Sequence, residues 1–100
     1  MAQILIERDH PLGLDLARQT AAQWVRQAQE EFDMRCEVTR TDDGDEVRFA
    51  RSGLSGTLWV DGQHFRMQAQ LGFLMSAFKD RIEIEIRKNL DALIERHRQP

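Results

Sequence analysis

Hydrophobic and polar residues repeat with two different periods along this chain, and each change of period marks an element. Gln3 to Arg8, "QILIER", is short and rich in apolar branched residues. The "DHPLG" that follows stops a strand and can launch a helix through Pro11 in its first turn. From Leu14 to Phe32 the residues Leu14, Ala17, Ala21, Trp24, Val25, Ala28 and Phe32 recur every three or four positions, which predicts an amphipathic helix. After Asp33 the period becomes two. Met34, Cys36 and Val38 alternate with Arg35, Glu37 and Thr39 up to a hairpin turn at Asp43-Gly44. Val47 and Phe49 continue the alternation, Ser52-Gly53 turns the chain, and Leu54, Leu58 and Val60 form a further strand. Asp61-Gly62 makes another tight turn into Phe65, Met67 and Ala69.

Four consecutive strands joined by tight turns predict an antiparallel meander. Met34, Cys36, Val38, Val47, Phe49, Leu54, Leu58, Val60, Phe65 and Met67 share one face, while Arg35, Glu37, Arg48, Thr57, His64 and Arg66 share the other. The apolar face needs helices over it. The expected fold is therefore α+β, a two-layer sandwich of order β-α-β-β-β-β-α, with two helices on one face of an antiparallel sheet. Neither a linker nor a repeat divides residues 1–100, so one domain is expected.

The last third poses a conflict. "DRIEIEIRK", Asp80 to Lys88, alternates like a strand, but Leu71, Met75, Phe78, Ile82, Ile86, Asn89 and Leu93 fall within roughly 40° of one direction at helical pitch. The helical period organises more of the apolar residues, so one continuous helix over 71–97 is expected. Ile84 then points roughly 200° away from Ile82. Phe73 and Ala77 project to the same side, and the three make a thin second stripe. With Trp59, which alternates onto the polar face of the sheet, they form the candidate contact surface: Phe73, Ala77, Ile84 and Trp59. The alternative for each is ordinary: scattered surface apolars for the first three, a cross-strand packing residue for Trp59.

Composition narrows the chemistry. The chain has 41% hydrophobic and 31% charged residues and a formal net charge of −3 with dispersed signs, so no basic patch invites nucleic acid. No apolar run approaches a membrane span, no signal peptide opens the chain, and the single cysteine cannot form an internal disulfide. A cytoplasmic location is expected. His10, His64 and His97 are far apart and form no ligand-spaced set with Cys36, so neither metal nor cofactor is expected. "GLSG" at 53–56 lies in a hairpin and is not a nucleophile elbow; Gly53 reads as a turn and Gly56 as a bulge or strand-twisting position. Ser55, His64 and Glu37 could share the open face, but a flat solvated face lacks water exclusion and an oxyanion hole. No catalytic residue is assigned. Cys36, in phase with Met34 and Val38, reads as a packing thiol.

Three segments taken in order, "DHPLGLDLAR" at 9–18, "VRFARSGLSGTLWV" at 47–60 and "LGFLMSAFKDRIEIEIRKNLD" at 71–91, resemble the polyhydroxyalkanoic acid system family, also called granule-region proteins. His10, Leu12, Gly13, Ala17, Arg18, Phe49, Arg51, Gly53, Gly56, Leu71, Gly72, Phe78, Ile82, Glu83, Ile86, Leu90 and Asp91 carry the likeness. The hairpin "TRTDDGDE" departs from it, with Thr39, Arg40 and Thr41 where an aromatic is expected. The resemblance implies a bacterial protein of polyhydroxyalkanoate storage, non-enzymatic and accessory or granule-associated, acting through apolar surface. The partners it implies are the granule surface, polymer-metabolising enzymes or a second copy forming a homodimer. The other reading is a helix-grip domain that binds a small acyl or aromatic ligand.

Overall fold

The computed structural model describes residues 2–98. Its strands are β1 (Ala2–Asp9), β2 (Arg35–Arg40), β3 (Gly44–Arg51), β4 (Leu54–Asp61) and β5 (His64–Leu71). Its helices are α1 (Gly13–Phe32), α2 (Phe73–Ser76) and α3 (Lys79–Arg98). The strands form one sheet in the order β1-β5-β4-β3-β2, every neighbouring pair antiparallel. The three tight turns build the meander, and β1 adds to its far edge through β5. The fold is the expected α+β sandwich.

Alternation decides which face is covered. Ile4, Ile6, Val47, Phe49, Leu58, Val60, Phe65, Met67, Ala69 and Leu71 are buried beneath the helices, because residues two apart on a strand share a face. In α1 the buried side chains are Ala17, Thr20, Ala21, Trp24 and Ala28. The small ones let the helix lie close to the sheet, and Trp24 meets Phe49 edge to face with ring centroids 5.1 Å apart. In α3 the buried residues are Leu90, Leu93 and Ile94.

Three expectations need correction. Residues 71–97 are not one helix: Leu71 ends β5, where it pairs with both Ala2 and Leu54. Full burial between two strands outweighs its helical phase. Gly72 is extended, its N–H bonded to the Gly53 carbonyl at 2.9 Å. After the single turn of α2, Phe78 N–H bonds back three residues to Met75, and four-residue bonding resumes with Ile82 to Phe78. The Ser76 hydroxyl donates to the Gly72 carbonyl at 2.8 Å, a local bond that competes with helix continuation. The "IEIEI" stretch itself is helical, within α3.

Second, Val38 and Cys36 are not core. Val38 is 51% exposed and Cys36 half-buried, because β2 is an edge strand that α1 only partly covers. That partial burial pushes the Cys36 thiol pKa up, so it is a protonated thiol at neutral pH. Third, Gly56 is no bulge. It pairs regularly with Phe49 and Ala69, and a Cβ there would collide with the Gln68 carbonyl and the Phe49 ring. The missing side chain is the seat of Phe49.

One end of the sheet is closed by polar bonds. Asp61 accepts from the backbone N–H of Gln63 (2.9 Å) and His64 (2.7 Å) and from the Trp59 indole (2.9 Å). Burial opposes its ionisation, but those three donors and the neighbouring His64 win and hold its pKa at about 2. His10 is 6% exposed and stacks 4.5 Å from Phe65. Its Nδ1 accepts the Leu12 N–H at 3.1 Å while Nε2 donates to the Asp61 carbonyl at 3.0 Å, so the bonds select the Nε2–H tautomer. It borders α1, as its place before Pro11 suggests. Buried Asp45 lies 3.1 Å from Arg18 Nε and 3.5 Å from Arg40 Nε.

Candidate functional site

The opposite end of the sheet is open. The C-terminal half of α1 and the N-terminal half of α3 flank an apolar groove of about 330 Å³. Its floor is Phe49 and Leu54, one wall is Trp24, Ala28, Phe32 and Met34, and the other is Met75, Phe78, Ile82 and Ile86. Glycine at 56 is what lets the Phe49 ring lie flat enough to form that floor. The two helices close on each other further along, where His97 Nε2 lies 3.1 Å from Gln23 Oε1. Arg8 fixes that end of α3 through Asp91 at 2.9 Å. Towards α2 no side-chain hydrogen bond joins them among the described residues, and exposure rises along one stripe from 1% at Leu90 to 56% at Phe78.

Polar groups at the groove are few. Arg51 Nη1 donates to the Phe32 carbonyl at 2.8 Å, placing a cation at the C-terminus of α1, whose last turn has none of its own. Arg81, Glu85 and Asn89 stand along the α3 wall. Gln27 Oε1 is buried without a hydrogen-bond partner, and Gln27 lines the groove. Such an acceptor favours an occupant that can donate to it.

The structure places the candidate contact residues on α2, the turn after it, α3 and β4. Phe73 is 86% exposed on α2, beside Leu74 at 80%, and Ala77 is exposed in the turn that follows. Ile84, 52% exposed, lies beyond the break on the outer side of α3; that break interrupts the spacing that joined it to Phe73 and Ala77. Trp59 is on the other face of the sheet, with its ring against the Gly44 position and its indole N–H on Asp61. It serves as cross-strand packing. Phe73 and Leu74 precede Met75 on the single turn of α2, and of these three Met75 lines the groove wall. Sequence reasoning missed Gln27 and the exposure of Phe32, which is 40% exposed. The available signal was length: a last helix of about 40 Å against strands of about 20 Å cannot be covered along its whole extent.

Ser55, His64 and Glu37 are spread over three strands. Ser55 pairs with Gln70 near one end of β5, while His64 opens the other end, about 20 Å away along the strand. His64 engages Asp61 and Asp9. Among the described residues no three His, Cys, Asp or Glu side chains gather as a metal site, and no helix is long and apolar enough to cross a membrane.

The chain is thus a two-layer α+β domain with an apolar groove and exposed aromatic side chains at one end. The family model of polyhydroxyalkanoic acid system proteins matches residues 4–94, and the chain belongs to that family. A comparison with curated proteins finds no match.

Proposed function

We propose that this protein is a non-enzymatic accessory protein of bacterial polyhydroxyalkanoate storage that attaches to the granule, or to an enzyme on it, through the α2 end of the groove. The observation that carries this reading is the pair Phe73 and Leu74, 86% and 80% exposed on the same helical turn that supplies Met75 to the apolar groove. Water-exposed apolar side chains clustered at one end favour burial against another apolar surface, at about 1.5–3 kcal/mol for each one fully covered. Family membership supplies the polyester as the apolar phase. The location that follows is cytoplasmic, at storage granules.

Cosedimentation with poly(3-hydroxybutyrate) particles tests it. The wild type is expected in the pellet and the Phe73→Glu/Leu74→Glu variant in the supernatant, with stability changed by less than about 0.5 kcal/mol per site because no buried contact is lost. Ile84→Glu, beyond the break and away from the mouth, is expected to pellet like the wild type. Equal pelleting of all three would overturn the attachment site, and a wild type that stays soluble would overturn the reading.

A second reading is favoured by one specific feature, the unpartnered Gln27 Oε1 in the groove. It supports a soluble acyl ligand bearing a hydroxyl that donates to that oxygen. Calorimetric titration with a medium-chain hydroxy fatty acid separates the two: saturable binding weakened by Gln27→Leu supports the ligand, and no heat leaves the granule surface.

A further inference from the structure

The two edges of the sheet differ in how they are guarded. At β1, α3 packs alongside and Arg87 reaches the Leu5 carbonyl at 3.5 Å. At β2 no side chain or helix donates to the outer edge among the described bonds, and the strand lacks proline, bulge and inward lysine, the usual protections. Its helix-side residues Met34, Cys36 and Val38 are only partly covered, with Val38 51% exposed.

The pairing parity says which backbone groups are free. Thr41 N–H bonds the Gly44 carbonyl at 2.8 Å across the β2–β3 turn, which makes 41 and 44 a hydrogen-bonded pair. Bonded and non-bonded pairs alternate in an antiparallel ladder. Arg35, Glu37 and Thr39 therefore direct their N–H and C=O groups to β3, and Cys36, Val38 and Arg40 direct theirs outward. A strand added to this edge pairs through these outward groups.

We infer that β2 is a homodimer interface, in which residues 34–38 of two copies pair antiparallel about a two-fold axis at Cys36. In that register Cys36 forms a hydrogen-bonded pair with itself, the Val38 N–H meets the Met34 carbonyl of the other copy while the Met34 N–H stays on the Ala28 carbonyl at 3.0 Å, and the under-covered apolar side chains meet. On the open face, Arg35 of each copy stands opposite Glu37 of the other, in the non-bonded positions where side chains approach closest. The neighbouring registers that satisfy the same parity are worse. An axis at Glu37 opposes two carboxylates, an axis at Arg35 opposes two guanidinium groups, and an axis at Val38 sets Cys36 against Arg40. Charge and hydrogen-bond parity together select one arrangement, with a second copy of this chain as the occupant. The interface meets the groove at Met34, which also lines it. Glu37 is on the face away from the groove, so particle binding and dimerisation can fail independently.

The test is sedimentation equilibrium on the whole chain with charge reversals. The wild type is expected to be dimeric at micromolar concentration. Glu37→Arg, which sets Arg35 against arginine twice, is expected to weaken association on the order of tenfold or more, and Arg35→Glu/Glu37→Arg is expected to restore it. Val38→Lys, placing a charge on the apolar side of the edge, gives a second monomerising change. Mild oxidation should link wild-type copies through Cys36, since the Cα spacing of a hydrogen-bonded pair, about 5.5 Å, suits a disulfide. Circular dichroism verifies that each variant is folded. A wild type that is monomeric at 100-fold higher concentration, a folded Glu37→Arg as dimeric as the wild type, or a folded double reversal that stays monomeric each overturns the interface.

Discussion

The two ends of this sheet are made from the same five strands, yet one is closed by directional bonds and the other is left open. At the first end Asp61, His10, Thr41 and Asp45 satisfy the turns with short polar side chains, and Trp59 lies across Gly44. At the second end the contacts are apolar. Trp24, Phe49 and Leu54 make a floor, but Phe32, Met75, Phe78 and Ile82 line a space they do not fill. A hydrogen bond needs one partner at one distance, so a few residues complete the first end. Apolar packing needs enough atoms on all sides, and the divergence of α3 from α1 removes one side. The lesson is that stability and binding capacity are separated along the strand axis.

A large effect is expected at the closed end. Removing one member of a buried ion pair strands its partner, so Asp45→Ala, which leaves Arg18 uncompensated, is expected to cost about 3 kcal/mol in chemical denaturation, while binding to polyester particles by the protein that remains folded is unchanged. A loss below about 1 kcal/mol would mean that the closed end is not held by this pair.

The gradient along α3 gives a sharper comparison within one helix. Leu90 is 1% exposed and Ile86, one turn nearer the groove mouth, is half-buried. Leu90→Ala is expected to destabilise by about 2–5 kcal/mol, and Ile86→Ala by about 1 kcal/mol, because an open groove loses little packing when its lining shortens. Equal losses at the two sites would show that the groove is closed in solution.

The smallest effect is a pH dependence at Asp61. Its folded pKa of about 2 lies below the ordinary carboxylate value, so the stability it contributes is fully present above about pH 4 and is lost as pH falls towards 2. Urea midpoints measured from pH 5 down to pH 2.5 should fall less steeply for Asp61→Asn than for the wild type. An unchanged slope would remove Asp61 from the account of the closed end.

Period and turn chemistry determined the architecture from the sequence alone. The switch from helical spacing to alternation after Asp33, and the turns at Asp43-Gly44, Ser52-Gly53 and Asp61-Gly62, specify four strands, their register and their buried face, because each depends only on neighbours in the chain. The helical assignment of "IEIEI" was legible in the same way. Tertiary context alone decided the rest. Leu71 has a helix's spacing but a strand's burial, since β1 arrives from the other end of the chain to pair with it. Val38 alternates with the core yet stays exposed because β2 falls at an edge. The stripe of Phe73, Ala77 and Ile84 was drawn on an unbroken helix, whereas the sheet's claim on Leu71 and Gly72 delays the helical segment to Phe73 and a turn at 77–78 divides it. The groove arises from an angle between α1 and α3 that no local pattern encodes: amphipathic stripes say which side of a helix seeks cover, and only packing against the other elements decides how far along its length that cover extends.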